Sequence, residues 1–216
     1  WSSDVCSSDL EDYLPKWKSL DQIDRLDTET GEWVTVGHLP RARSSYVLGV
    51  TDDLVYLIGG WDSTPKFPND YDGVFHRKID VFNLRDESVA VAAVELPDPL
   101  RRALSAVTVG DEIMLVGGLG VGADHFQLLD KVTAFNPRTM TFRELPPLPF
   151  PTFAPAAGVI GNHLYMFGGM FKTGPENYHY VNHIFGIDLT QGVWEHVGRY
   201  LSEGKGFSMV APLDDH

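Results

Sequence analysis

Cysteine is almost missing from the 216 residues: the single one is Cys6. It lies in Trp1 to Leu10 (WSSDVCSSDL), a segment that reads as a translated sequencing-library adapter, so the ten residues are set aside from fold reasoning together with Asp4 and Asp9. From residue 11 onward no thiol remains, which excludes a disulfide framework, a thiolate metal site and a cysteine nucleophile from that part. Long apolar runs are missing too. The longest, Val89 to Val94, falls far short of the roughly 18 residues a membrane-spanning helix requires, so no membrane insertion is expected. Basic charge is scarce, with 17 Lys and Arg against 30 Asp and Glu and a net charge of -13. That balance argues against a nucleic-acid partner, because phosphate backbones are held by clustered Lys and Arg. Composition is otherwise globular, and the length suits one all-β domain.

What is present is a repeat. Three segments align: SSYVLGV, a TDD turn and LVYLIGG (Ser44 to Gly60); LSAVTV, a GD turn and EIMLVGG (Leu104 to Gly118); APAAGVI, a GN turn and HLYMFGG (Ala154 to Gly169). Each is a hairpin, since Asp, Asn and Gly tolerate the positive φ that tight turns demand. The Gly-Gly pairs Gly59–Gly60, Gly117–Gly118 and Gly168–Gly169 are spaced 58 and 51 residues apart. Between them lie further two-strand units ending at Pro40, Pro97, Pro149 and Leu201. Counting back seven residues from each end reaches Trp33, Ala90, Phe142 and Trp194.

These marks resemble kelch repeats: Gly-Gly after the second strand, a tyrosine three residues earlier (Tyr56, Tyr165), a large ring in the fourth strand (Trp33, Phe142, Trp194), and Leu-Pro with nearby Arg. The resemblance covers nearly everything after residue 20 and implies a β-propeller of four-stranded antiparallel blades. Met114 stands where the second blade would have tyrosine, and Ala90 where the first would have its ring. A neighbouring bulky side chain is expected to fill the space beside Ala90, since an aromatic-sized cavity would cost roughly 3 kcal/mol or more.

The expected organisation is a half-blade over residues 17–40, blades over 41–97, 98–149 and 150–201, and the start of another at 202–216. That makes about three complete blades and two partial ones. The chain stops in mid-hairpin at GFSMVAPLDDH, so it reads as a fragment of a longer propeller.

Because antiparallel strands alternate direction, the loop after each second strand and the linker from each fourth strand to the next blade are expected on one face. The first set spans Trp61 to Lys78, Leu119 to Lys131 and Met170 to His183, long and rich in aromatic residues; the second contributes Arg41, Arg43, Arg101, Arg102 and Lys205. Loops on a rigid scaffold carry recognition. The candidate ligand-binding set is therefore Arg41, Arg43, Trp61, Tyr71, Phe75, Arg101, Arg102, Phe126 and Tyr178, for an acidic peptide or a carbohydrate. The competing expectation is that the rings pack the loops down and the arginines pair with nearby acids.

Enzyme signatures are weak. His179 and His183 are four apart, a spacing that puts both on one face of a strand, but no third ligand accompanies them, so no metal is expected. GLGVGADH (Gly118 to His125) has phosphate-loop glycines without the helix that would complete the site. Ser44 and Ser45 have no identifiable triad partners, and a copper oxidase of the galactose oxidase kind would need a cysteine. No cofactor or catalytic residue is expected. The reading is a non-catalytic module whose partner is a protein, peptide or glycan. The alternative is a carbohydrate-processing enzyme on the same fold, resembling the sialic acid epimerases or mutarotases, whose chemistry needs only a few acid and base side chains.

Overall fold

The computed structural model describes residues 19–62, 74–121, 126–174, 177–199 and 202–206. The adapter-like segment, Cys6, Tyr71 and the last strand start lie outside them. The strands run in chain order as β1 (Leu20–Leu26), β2 (Trp33–Arg43), β3 (Val47–Thr51), β4 (Leu54–Ile58), β5 (Trp61–Asp62), β6 (Val74–Phe75), β7 (Lys78–Asn83) and β8 (Val89–Glu95). They continue as β9 (Arg101–Arg102), β10 (Ser105–Val109), β11 (Glu112–Val116), β12 (Leu119–Val121), β13 (Phe126–Leu128), β14 (Val132–Asn136) and β15 (Thr141–Leu145). The last are β16 (Ala156–Ile160), β17 (His163–Phe167), β18 (Met170–Gly174), β19 (Asn177–Tyr180), β20 (His183–Asp188) and β21 (Trp194–Arg199).

Three antiparallel four-stranded sheets, β3-β4-β7-β8, β10-β11-β14-β15 and β16-β17-β20-β21, are the blades; β1-β2 forms a two-stranded sheet before them. The middle strands of each blade are apolar runs because neighbouring blades cover both their faces. Ile58, Ile79, Ile113, Leu115, Ala134, Phe135, Leu164 and Met166 are all fully buried or nearly so. The fourth strands are mostly exposed. Among the described residues, no helix is long and apolar enough to cross a membrane.

The core is a series of interfaces between consecutive sheets. Leu39, Leu57 and Phe82 join the β1-β2 sheet to the first blade. Tyr56, Ile58, Ile113 and Phe135 join the first blade to the second, and Met114, Val132, Leu164 and Ile187 the second to the third. The fourth-strand ring points back at the preceding blade. Phe142 stacks on Phe135 at 4.7 Å within the interface to the first blade, and the Trp194 indole donates to the Pro146 carbonyl at 3.0 Å. At the corresponding position Trp33 is 67% exposed.

The first blade corrects the expected register. An irregularity in the β7–β8 ladder, where four residues of β8 (Glu95 to Val91) span two of β7 (Lys78 to Asp80), leaves the core position eight residues back from Pro97 instead of seven. The pair matching Phe135/Phe142 and Ile187/Trp194 is Phe82/Val89, not Val81/Ala90. Ala90 is exposed, so no cavity arises beside it. The ring for this interface comes instead from the third strand, where Phe82 is buried against Leu39 and Leu57 with Val89 packed alongside.

The Gly-Gly pairs also have a more specific cause than a crowded strand end. All six glycines have positive φ. The linker to the next blade crosses directly over them: a Cβ on Gly59 would lie 2.5 Å from the Arg101 carbonyl oxygen, and one on Gly117 2.6 Å from that of Thr152. Residues Ser45, Ala103 and Ala154 repeat a left-handed turn at the start of each blade without glycine. Ala103 N–H donates to the Ser45 carbonyl and Ala154 N–H to that of Ala103, tying successive blades together.

The register correction yields a stability test. Val89→Ala should destabilise the chain by about 1–2 kcal/mol in urea unfolding, whereas Ala90→Ser should stay within about 0.5 kcal/mol. Equal effects would place the core position at Ala90 after all.

Candidate functional site

The two loop sets form one hydrogen-bonded layer. After each second strand the chain turns into a projecting hairpin, β5-β6, β12-β13 or β18-β19. Each hairpin pairs with the linker that leads into the same blade or the next. Ser44 bridges Trp61, Arg101 and Arg102 pair with Gly120 and Leu119, and Phe153 bridges Met170. The loop Gly118 to His125 accordingly begins as strand β12; residues 122–125 lie outside the described set.

Arg43 and Arg101, 58 residues apart like the glycines, point down into their blades rather than out to a ligand. Arg43 is 2% exposed and donates to the carbonyls of Leu57 (3.2 Å), Gly59 (2.9 Å) and Lys78 (3.2 Å) and to Asp80 Oδ2 at 2.6 Å. Arg41 pairs with the other oxygen of the buried Asp80 carboxylate. Arg101 is 1% exposed and donates to the carbonyls of Gly117 (3.3 Å) and Lys131 (2.9 Å) and to Thr133 Oγ1 (2.8 Å). With no carboxylate against it, burial lowers its pKa to about 10. It is still a cation at neutral pH.

Arg102 takes a different environment. Its guanidinium stacks 3.8 Å from the Trp61 ring centroid and 4.3 Å from that of Phe126. Trp61 is 2% exposed and meets Phe126 edge-on at 5.5 Å and Phe75 at 6.3 Å. Four of the candidate residues thus form one packed cluster between the first two hairpins. Tyr178 differs: the residue is 44% exposed, with its ring edge-on to Phe153 at 5.7 Å and under Lys172 Nζ at 4.5 Å. Tyr71 lies outside the described residues.

The histidines pair otherwise than their spacing suggests. His179 Nε2 bonds Thr173 Oγ1 at 2.9 Å, while His183 Nδ1 meets His196 Nε2 at 2.7 Å across the β20–β21 ladder. Among the described residues, no group of three potential metal ligands is found. The His183–His196 pair borders a cavity of about 620 Å³ with walls of Phe150, Phe171, Tyr180 and Phe185. Phe150 meets Phe171 at 5.7 Å and Phe185 at 5.5 Å, both edge-on. Sequence reasoning missed this cavity, because Phe150, Phe185 and His196 come from a linker and from the third and fourth strands of the blade, which no local pattern connects. One signal was legible: at the repeat positions of Arg43 and Arg101 the third blade has Thr152.

His76 is a further buried group, with Nε2 donating to the Ala42 carbonyl at 2.9 Å. Desolvation, reinforced by Arg43, holds its pKa below the ordinary value.

Two predictions follow from these arginines and from His76. Arg43→Leu, which strips the buried Asp80 of one partner, should cost about 3–5 kcal/mol in urea unfolding. Arg101→Leu, which frees only neutral acceptors, should cost about 1–3 kcal/mol; if neither costs anything, the arginines do not hold the blades. The depressed His76 pKa makes folding indifferent to this group above about pH 6.5 and unfavourable as pH falls below it, where only the unfolded chain takes up the proton readily. Urea midpoints between pH 8 and 5 should therefore fall less steeply in His76→Gln, and an unchanged slope would sink the assignment.

Comparison with known proteins adds relatives of one kind. The chain is 29% identical over 156 residues to Kelch repeat and BTB domain-containing protein 12 of Homo sapiens, covering 68% of the chain and 25% of that protein. It is 27% identical over 158 residues to Kelch-like protein 35 of Mus musculus, 73% of the chain and 24% of the relative. To Kelch-like protein terF of Aspergillus terreus it is 26% identical over 176 residues, 80% of the chain and 37% of the relative. The chain thus spans about a quarter of the length of the human and mouse proteins. No family model matches it. Among solved structures, that of YjhT superposes with a TM-score of 0.73 at 18% identity, over 90% of this chain and 66% of that one, a likeness of fold.

Proposed function

We infer that this chain, a kelch-repeat β-propeller by its repeats, fold and relatives, is a binding module that holds a protein or peptide partner on the face bearing the projecting hairpins. The observation that carries this reading is the exposure of apolar side chains on all three hairpins. Val74 is 55% exposed, Val121 67%, Tyr178 44% and Tyr180 60%. Tyrosines so placed offer a large, stiff surface with a polar tip, the composition from which interface anchors are made. The sheets beneath supply rigidity, and Arg43, Arg101 and the Trp61–Arg102–Phe126 cluster hold the hairpins in place. In this reading Tyr178 touches the partner, while Arg41, Arg43, Arg101, Arg102, Trp61, Phe75 and Phe126 support the surface from beneath. The human relative's name sets kelch repeats beside a second domain, which suits a recognition part within a larger protein.

The test is selection of peptides from a displayed random library, with affinities measured by calorimetry. Tyr178→Ala combined with Val121→Ser should weaken the selected peptides at least about tenfold with unchanged thermal stability. A chain that selects no peptide but binds arrayed glycans, or that speeds anomer exchange of a free sugar in NMR, would favour a carbohydrate role and overturn the proposal.

A further inference from the structure

The same place in three blades is filled in three ways. In the first, Lys78 pairs with Glu95, and Asp80 is clasped by Arg41 and Arg43. In the second, Lys131 pairs with Glu144, and Thr133 receives Arg101. Ladder register maps these onto the third blade: Leu57/Asp80 and Leu115/Thr133 correspond to Met166/Phe185, and Thr133/Glu144 to Phe185/His196. The Lys131–Glu144 pair of the second blade is thereby replaced by His183–His196, Asp80 by Phe185, and Arg41 by Phe150; in the first blade the residue opposite Asp80 is Val91. Thr152 stands where Arg43 and Arg101 stand, and its hydroxyl donates to the Met170 carbonyl at 2.9 Å instead. The first two blades hold a guanidinium of the chain itself where the third has Thr152; beside it the third blade has the aromatic-walled cavity of about 620 Å³, which Phe150, Phe185 and His183 line.

We propose that this cavity receives the guanidinium of an arginine on a bound peptide, held between Phe150 and Phe185, which stand where Arg41 and Asp80 pair in the first blade. Three features support an arginine over other occupants. Aromatic faces attract a planar cation and stack on it, as Trp61 and Phe126 already do with Arg102. The two histidines, sharing one hydrogen bond, border the cavity with ring nitrogens beside its aromatic walls. The net charge of -13 draws basic segments toward the chain and repels acidic ones. The inference rests on the binding-module reading and names the chemistry that one part of its surface selects.

The probe is N-acetyl-L-arginine methylamide, titrated at pH 7.5 into the 216-residue chain and followed by NMR of histidine and phenylalanine ring protons, with the leucine and glutamate analogues as controls. The arginine compound should shift His196, His183 and Phe185 resonances, the leucine compound more weakly and the glutamate compound not at all. Phe185→Ala should weaken the arginine compound about fivefold or more. His196→Glu, at an exposed site and restoring the acid that Glu144 supplies in the second blade, should tighten it about threefold or more; this gain does not depend on how Phe185→Ala folds. Equal shifts from leucine, larger shifts from glutamate, or no tightening in His196→Glu would overturn the proposal. If the arginine compound fails while Tyr178→Ala with Val121→Ser still weakens selected peptides, this inference falls and the binding module stands. If the arginine compound binds but no peptide is selected, the cavity assignment stands and the wider reading falls.

Discussion

A backbone hydrogen bond, repeated at each blade boundary, organises the molecule. The second glycine of every Gly-Gly pair donates its N–H to the carbonyl of the linker entering the next blade: Gly60 to Arg101 at 3.0 Å, Gly118 to Thr152 at 2.9 Å and Gly169 to Lys205 at 2.8 Å. At the first two crossings the backbones are so close that a Cβ on the preceding glycine, Gly59 or Gly117, would lie 2.5 or 2.6 Å from the same carbonyl oxygen. Once the linker is seated there, its side chain at the same position descends into the blade it leads to, and the hairpin after the second strand is left to pair with linker backbone. Interface cores, hairpin positions and buried arginines all follow from that crossing.

Electrostatics grades along the chain at these crossings. The first blade neutralises a fully buried carboxylate with two guanidiniums, the second buries a guanidinium on carbonyls and a hydroxyl, and the third has aromatic rings and a histidine pair. A buried charge is tolerated only where its partners are complete, so each blade is an internally consistent set rather than a mixture. Exchange of one member without the others would strand a charge or a carbonyl. That all-or-none character explains why equivalent positions differ together between blades whose backbones are alike.

Much of this was legible in the sequence, and for local reasons. Asp-Asp, Gly-Asp and Gly-Asn turns, apolar second strands and Gly-Gly endings are short-range signals, and all three resulting hairpins are in place. The Val89 position was misread because an irregularity in the ladder changes the count by one, and a one-residue change moves a side chain to the other face. The arginines were legible as a repeated feature, but their direction was not: a cation above a strand end can turn outward or inward, and only the carbonyls of strands far away in sequence make inward favourable. His183 was noticed beside His179, its neighbour along the chain, whereas its hydrogen-bond partner His196 is brought to it by the next strand's register.

By itself the sequence determined the element type, the repeat length and the blade architecture, because turn chemistry and alternation act within a few residues and the repeat multiplies each weak signal. The tertiary structure alone decided which side chains are available for recognition. Exposure depends on what lies across an interface, so Trp61, Phe75, Phe126 and the arginines became support for the hairpins, while Tyr178 and Tyr180 stayed in solvent. The cavity of the third blade arises for the same reason. Its walls are contributed by a linker, a hairpin and the third and fourth strands of the blade, and only the packing of those elements makes them neighbours.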